Sequence, residues 1–285
     1  MNKSDSMFYR LKEPMLHMAK HICTLGALLL MPLSGLNAQC VITDEVRVAA
    51  GTMAAPFASC GDVVAYQGYE YATVQIGDQC WFAENLRSEH YQNGDAIPSN
   101  LSDNEWKFTS SGAVAVYGED SGGCDSWSPD IDACDPIQSL NEFGRLYNGY
   151  AVNDARGLCP SGWHVPTDSE WITMEMALGM SEAQANSQLE WRGTNQGSQM
   201  KTDYGWTNEG NGTNSSGFSG LPGGLRSLNG DFIQAGEDGY WWSYSPPSWN
   251  ANPWYRQLFY LSEGVKRYIE DPTLGFSVRC VEDNE

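Results

Sequence analysis

The fold is decided by the stretch Leu158-Cys159-Pro160-Ser161-Gly162-Trp163-His164-Val165-Pro166-Thr167-Asp168-Ser169-Glu170-Trp171. A cysteine, a Pro–Gly turn and a short extended step lead directly into a helix start. Thr167 and Glu170 have the spacing of a capping box, in which each side chain satisfies the other residue's backbone N–H. Asp168 adds negative charge to the first turn, where the helix dipole favours it. The stretch therefore predicts a helix with a cysteine just ahead of it.

The pattern of apolar residues continues this helix for about three turns. Residues at helical spacing are Trp171, Met174 or Glu175, and Leu178. Gly179 is placed to end the helix, because glycine tolerates the left-handed conformation that follows many helices. Ser181 with Gln184 repeats the capping box and predicts a second, short helix after Gly179.

Composition excludes several classes of partner. The chain has 285 residues, a net charge of −20 and only 16 lysines and arginines. Nucleic acid and anionic membranes require a basic surface, so neither is an expected partner. With 30 glycines, 13 prolines and 11 tryptophans, the chain favours short strands and glycine-rich turns packed by aromatic residues.

The N-terminus predicts export. Basic residues precede an apolar run at 22–31, and Ala38 offers a cleavage point, so residues 1–38 are interpreted as a signal peptide. The apolar run is too short to span a bilayer. Gln39 stands where lipidation of Cys40 would need a small residue, which argues against a lipoprotein. We expect an exported protein of the periplasm, the cell surface or the extracellular space, with a linker or leading strand at 39–65.

Cysteine use agrees with an oxidising compartment. Seven cysteines follow the signal peptide, and none shows the C-x-x-C spacing of a zinc or redox site. The pairing that we expect is Cys60–Cys80, Cys124–Cys134 and Cys159–Cys280, with Cys40 left over. Closing a loop of about 120 residues between Cys159 and Cys280 would stabilise the fold by ~4–5 kcal/mol.

The remaining chain reads as short strands joined by turns. Strand patterns occupy 63–66, 69–76 and 80–82, and a final strand at 275–281 places Phe276, Val278 and Cys280 on one face. Residues 88–140 are rich in Ser, Asn, Asp, Gly and Pro and are the variable-looking part of the chain. Within them, 119–135 reads as an acidic loop closed by a disulfide. The fold class is therefore α+β, with one or two short helices.

Taken together, six ordered motifs resemble the Fibrobacter succinogenes major paralogous domain, a module of exported bacterial proteins, many from Bacteroidetes-type lineages. The matching segments are 74–86, 144–148, 158–171, 214–226, 239–243 and 275–281. The resemblance covers residues 66–282, leaves a tail at 283–285, and marks 119–135 as an insertion. The family carries no firmly assigned biochemical role. A looser similarity, a cysteine before a helix paired with one in the last strand, links the chain to the C-type lectin-like fold.

Calcium is the one cofactor that the sequence admits. The Glu-Pro-Asn or Gln-Pro-Asp tripeptide of lectin-type calcium sites is absent, and Trp249-Asn250-Ala251 lacks the carboxylate that such sites use. Hard cations prefer several carboxylate oxygens on flexible turns. The candidate metal ligands lie in the acidic loop and are Asp120, Asp125, Asp130 and Asp132. A solvated acidic loop is the alternative.

No catalytic residue stands out. His90 and His164 are the histidines of the exported chain, and His164 reads as a packed side chain rather than a base. Ser215-Ser216-Gly217 does not form the strand-to-helix elbow of a serine hydrolase. An enzyme related to the formylglycine-generating group, or one that hydrolyses glycans, is the alternative to a non-catalytic protein. A structural surface protein is a second alternative.

Aromatic residues supply the functional hypothesis. Many rings fall between 240 and 255, and prolines interrupt this segment. Tyr and Trp bind partners well at little entropic cost. We expect an exported recognition or adhesion module that binds glycan, envelope components or a surface protein through an aromatic loop at 243–253. The alternative is that one ring packs inside and the others cover turns. The predicted ligand-binding residues are Tyr240, Trp242, Trp249, Trp254, Tyr255 and Arg256.

Overall fold

The computed structural model describes residues 59–119, 124–188, 190–244 and 252–284. The predicted signal peptide, Cys40, Asp120 and Trp249 lie outside these ranges, as does most of the predicted aromatic loop.

Side-chain caps mark the starts of the principal helices. The helix predicted from the central stretch runs from Asp168 to Ala177, and both halves of its capping box are present. The short helix predicted after Gly179 is also confirmed, with its own Ser181–Gln184 box. The helices are α1 (Asp103–Phe108), α2 (Pro136–Phe143), α3 (Gly149–Val152), α4 (Asp168–Ala177), α5 (Glu182–Ala185) and α6 (Gln196–Met200).

The strands are short, as the glycine-rich composition indicated. The hairpin of the first two strands turns at Gln67 and Gly68, which both have positive φ. The strands are β1 (Val64–Tyr66), β2 (Tyr69–Tyr71), β3 (Thr73–Ile76), β4 (Gln79–Phe82), β5 (Val114–Val116), β6 (Cys124–Ser126), β7 (Arg145–Asn148), β8 (Trp163–His164), β9 (Glu190–Arg192), β10 (Gly223–Arg226), β11 (Phe232–Ala235), β12 (Asp238–Trp242), β13 (Trp254–Phe259), β14 (Val265–Ile269), β15 (Gly275–Phe276) and β16 (Val281–Glu282).

Within the described ranges these strands form three sheets. The hairpin β1–β2 stands apart. A four-stranded sheet has the order β3-β4-β16-β8. The largest sheet has the path β5-β7-β15-β10-β12-β13-β14-β9, and β11 and β6 extend it from β10. The fold is α+β and mostly sheet, as expected, but the described residues contain six short helices where one or two were expected.

The structure differs from the sequence analysis in two segments. The single final strand expected at 275–281 is two strands, because residues 277–280 cross from one sheet to the other. Ser277 pairs with Trp241, whereas the Phe82 N–H donates to the carbonyl oxygen of Cys280. The variable-looking segment at 88–140, for which no helix was predicted, contains α1, β5, β6 and the start of α2.

The core has a layer on each face of the central sheet. Trp241 and Trp242 are adjacent on β12 and point to opposite faces, since successive strand residues alternate. Both side chains are fully buried, but in different hydrophobic clusters. Trp241 packs in a cluster with Trp81, Trp171 and Phe218. Trp242 packs in a second cluster, with Tyr255 and Phe276. The two neighbouring tryptophans therefore belong to core layers on opposite faces of the sheet.

Three disulfides tie the described chain together. They are Cys60–Cys80, Cys124–Cys134 and Cys159–Cys280, the pairing expected from the sequence. Cys159 precedes β8 and α4, and Cys280 lies in the segment that crosses between the sheets. Within the described part of the chain, none of the helices has both the length and the apolar character needed to traverse a bilayer.

Candidate functional site

A cleft of about 420 Å³ opens beside the Cys159–Cys280 disulfide. Most of its lining comes from residues 152–167, and Gln92 and Tyr244 add to it from elsewhere in the chain. The lining residues are Gln92, Val152, Asp154, Ala155, Gly157, Leu158, Cys159, Trp163, His164, Val165, Thr167 and Tyr244. Clefts with apolar walls and a few converging polar groups are the usual place for small ligands.

His164 holds one side of the cleft by binding two carboxylates. Its Nδ1 lies 2.5 Å from Asp283 Oδ1, and its Nε2 lies 2.8 Å from Glu170 Oε1. The hydrogen bond to Glu170 raises the pKa of the His164 imidazole, partial burial opposes the shift, and the bond to Asp283 adds to it. Both ring nitrogens are therefore engaged. This arrangement suits a positioning role and leaves neither nitrogen free to act as a base.

Glu170 links His164 to the helix start. Its second oxygen accepts the N–H of Thr167 at 2.7 Å, which is half of the capping box. One carboxylate therefore satisfies the end of α4 and binds the imidazole. Sequence reasoning found the capping box but missed the imidazole contact with Asp283, which is 119 residues away.

Tyr244 and Gln92 form other parts of the cleft wall. Tyr244 is partly exposed, and its backbone N–H donates to the carbonyl oxygen of Pro166 at 2.8 Å. The Gln92 amide donates to the carbonyl oxygen of Cys159, also at 2.8 Å. Asp154 is paired with Arg156 at 2.8 Å, and this hydrogen bond lowers the pKa of Asp154.

Most of the predicted ligand-binding residues are buried, and ligand binding by them stays a prediction. Tyr240, Trp242 and Tyr255 pack around Phe276, with ring centroids 4.9, 4.3 and 5.1 Å from its ring. Burying rings of this size stabilises the folded protein relative to leaving them exposed to water. Trp254 is partly buried beneath the guanidinium of Arg267.

Arg256 is also buried, because it belongs to an ion-pair network. It binds Glu175 at 2.6 Å and Asp168 at 2.9 Å, both on α4. Arg192 binds Glu175 through two bonds of 2.8 Å, and Arg267 binds Asp168 at 2.6 Å. Burial would raise the pKa of Asp168, but the hydrogen bond from Arg267 and the charges of both arginines outweigh it and lower the value. Arg256 thus anchors α4 to the sheet.

The carboxylates of the acidic loop serve the backbone. Asp130 Oδ2 accepts the N–H of Gly205, and Asp132 Oδ1 accepts that of Cys134. Asp135 caps α2, and Asp125 is exposed. Among the described residues, no group of three or more His, Cys, Asp or Glu side chains is arranged to hold a metal ion. Asp120 lies outside those residues, so calcium binding that involves it stays a prediction.

The fold and the cleft define a disulfide-bonded α+β domain with a ligand-sized depression beside α4. Disulfides of this kind form in oxidising compartments. The chain belongs to the Fibrobacter succinogenes major domain family, whose sequence profile matches residues 74–282. Family membership and the disulfides together indicate a location outside the cytoplasm. No curated protein and no solved structure was found to match the chain.

Proposed function

We propose that this domain is a non-catalytic recognition module that binds a sugar unit of a glycan or envelope component in the cleft at α4. The observation that carries the proposal is the composition of the cleft wall. Apolar side chains of Val152, Leu158 and Val165 adjoin the polar groups of Gln92 and His164. A sugar ring has the complementary character, with apolar C–H faces and a hydroxyl edge.

Tyr244 supports the same conclusion from another side. Its ring combines an apolar face with a hydroxyl group, which is the usual chemistry of recognition surfaces. It follows β12 by two residues and belongs to the segment 243–253 that was predicted as the aromatic loop. The two-carboxylate engagement of His164 favours binding over catalysis.

A glycan-array screen of the purified protein, followed by titration calorimetry with the best ligand, tests the proposal. Tyr244→Ala should weaken binding by about tenfold, since truncating an aromatic anchor typically costs more than 1 kcal/mol. Tyr244→Phe keeps the ring and should bind within about threefold of wild type. Phe108→Ala is the control, because Phe108 is 77% exposed and is not part of the cleft lining.

Two results would contradict the proposal: no glycan retained on the array, or equal binding by wild type and Tyr244→Ala. Repeating the titration with a chelator separates this cleft from the acidic loop. Binding at the cleft should survive chelation, whereas binding through calcium should be lost.

A further inference from the structure

Arg279 differs from the other buried arginines of the described structure in its ion pairing. Six arginine side chains are buried in the described structure, and five of them form ion pairs with carboxylates. The paired ones are Arg145, Arg192, Arg226, Arg256 and Arg267. Arg279 is 1% exposed and, among the described residues, has no carboxylate within ion-pair distance. A buried charge without a counter-charge is costly, so its retention calls for an explanation.

Neutral groups satisfy most of the Arg279 guanidinium. Its Nε donates to Asn85 Oδ1 at 2.7 Å, and one terminal nitrogen donates to the carbonyl oxygens of Phe82 and Phe218 at 2.9 and 2.6 Å. The other terminal nitrogen donates to Ser219 at 3.0 Å. A guanidinium has five N–H groups, so one remains without a partner. Burial lowers the pKa of Arg279 to about 9, with Glu84 opposing the shift and Arg87 adding to it.

Arg279 and its partner Ser219 both line a second cavity of about 270 Å³, which we call the arginine cavity. Its lining residues are Ala72, Ala83, Glu84, Asn85, Arg87, Asn141, Glu142, Tyr204, Ser219, Leu221 and Arg279. Arg87 donates to the carbonyl oxygen of Asn141 at 3.0 Å, and its Nε is buried without a partner. Two arginines, Arg87 and Arg279, therefore line one cavity.

The carboxylates in the lining do not form an ion pair with Arg279. Glu84 lies 3.6 Å from Arg87 and also accepts the N–H of Ala72, and Glu142 accepts the hydroxyl of Tyr204 at 3.4 Å. Both carry negative charge at the cavity wall, where they would repel a doubly charged anion more than a singly charged one. The cavity thus matches a small ligand with a single negative charge.

We propose that the arginine cavity binds a small carboxylate, with the ligand's carboxylate oxygens accepting from Arg279 and Arg87. Guanidinium groups bind carboxylates through strong charge-assisted bonds whose fork geometry matches the two oxygens. The carboxylate can belong to an acidic sugar or to a simple organic acid, and the test separates these sources. This site is distinct from the cleft at α4, with which it shares no lining residue.

Titration calorimetry of the purified protein with sodium glucuronate, acetate, glucose and phosphate tests the proposal. We expect saturable binding of glucuronate or acetate, weaker binding of phosphate, and no binding of glucose at this cavity. Glucuronate binding more tightly than acetate would identify an acidic sugar as the ligand, and equal affinity would identify a simple carboxylic acid. Tight phosphate binding would overturn the inference, as would the absence of binding by both carboxylates.

Variants locate the binding in the cavity. Substituting Arg279 removes four core hydrogen bonds and is therefore unsuitable, so Arg87→Gln is the informative change. It should weaken carboxylate binding by about tenfold, the loss of one charge-assisted contact. Glu84→Gln should tighten binding by about threefold by removing repulsion. Lys107→Gln is the charge-matched control, since Lys107 is exposed and is not part of the lining.

Equal affinities for wild type and Arg87→Gln would overturn the assignment, as would an equal loss in Lys107→Gln. Tyr244→Ala should leave carboxylate binding unchanged, so failure of this site is distinguishable from failure of the cleft at α4.

Discussion

Asp238 is an acid that the fold buries at the first position of β12, where it is 1% exposed. The amide nitrogen of Gln257 donates to its Oδ1 at 2.6 Å. Burial raises the pKa of Asp238 from 3.8 to about 6, and the bond from Gln257 opposes the shift only in part. The folded protein therefore binds this proton more tightly than the unfolded chain does.

The raised pKa has a definite consequence for stability. At a pH below 3.8 the Asp238 carboxyl is protonated in the folded and the unfolded protein, and its contribution to the free energy of unfolding is fully present. As the pH rises through about 6, the folded state must carry a buried charge, so the free energy of unfolding falls. A shift of about two pKa units corresponds to a loss of about 3 kcal/mol. Asp238→Asn should abolish this loss, measured as urea unfolding of both proteins at intervals from acidic to neutral pH.

The exposed Asp78, in the turn between β3 and β4, provides the control. Asp78→Asn should follow the wild-type pH profile. A wild-type profile that runs parallel to that of Asp238→Asn across the range would show that Asp238 is not the responsible group.

Single residues were predictable where their partners are close in sequence. The Thr167–Glu170 and Ser181–Gln184 boxes were found because a helix start is decided by residues three positions apart. The Ser102–Glu105 box of α1 carries the same signal and was missed within the variable-looking segment at 88–140. The partners of Arg279 could not be found, since Asn85 is 194 residues away.

At the scale of elements, α4 is held to the central sheet by charge as well as by packing. Glu175 is fully buried and receives bonds from Arg192 on β9 and Arg256 on β13. Asp168, at the start of the same helix, binds Arg256 and Arg267 on β14. Two carboxylates on one helix therefore join it to three strands.

Removing one of these carboxylates should destabilise the protein strongly. Glu175→Gln keeps the size of the side chain but leaves two buried guanidiniums short of negative charge. Breaking a buried ion pair in this way costs about 3–5 kcal/mol. Urea unfolding followed by tryptophan fluorescence measures the change.

Glu70→Gln makes the same chemical change on the exposed side of β2. A surface substitution of this kind should alter stability by no more than about 0.5 kcal/mol. Similar losses for the two variants would show that the network contributes nothing beyond an ordinary surface charge.

Strand identity was more predictable than strand partners. The alternation of Phe276, Val278 and Cys280 correctly placed these side chains in one cluster. It could not show that the chain leaves one sheet at Phe276 and enters another at Val281, because that depends on distant segments. The burial of the aromatic residues of β12 and β13 could not be predicted for the same reason. Their exposure depends on whether Phe276 packs over them, and nothing near 240–255 in the sequence determines this.

At the scale of the whole molecule, the C-terminal segment is the connection between the sheets. Residues 277–280 leave the large sheet at β15 and enter the four-stranded sheet at β16. Cys280 lies within this crossing and is joined to Cys159, next to the cleft and just ahead of α4. The longest disulfide loop therefore ties the sheet junction to the candidate site.

The lengths of the loops that the disulfides close predict how much each one stabilises the fold. Cross-linking reduces the entropy of the unfolded chain, and the effect grows with the length of the closed loop. Cys159 and Cys280 are 121 residues apart, whereas Cys124 and Cys134 are 10 apart. Replacing both members of the long pair with alanine should cost about 5 kcal/mol, against about 3 kcal/mol for the short pair.

Urea unfolding of the two double variants measures these losses, and the long-pair variant should also show the larger increase in the denaturant slope, because its unfolded chain expands more. The short pair is the internal control, since it makes the same chemical change away from the sheet junction. Equal losses, or a larger loss for Cys124→Ala with Cys134→Ala, would contradict the assignment of the long disulfide as the main cross-link of the domain. The cleft at α4 should lose ligand affinity only in the long-pair variant, because Cys159 is part of its lining.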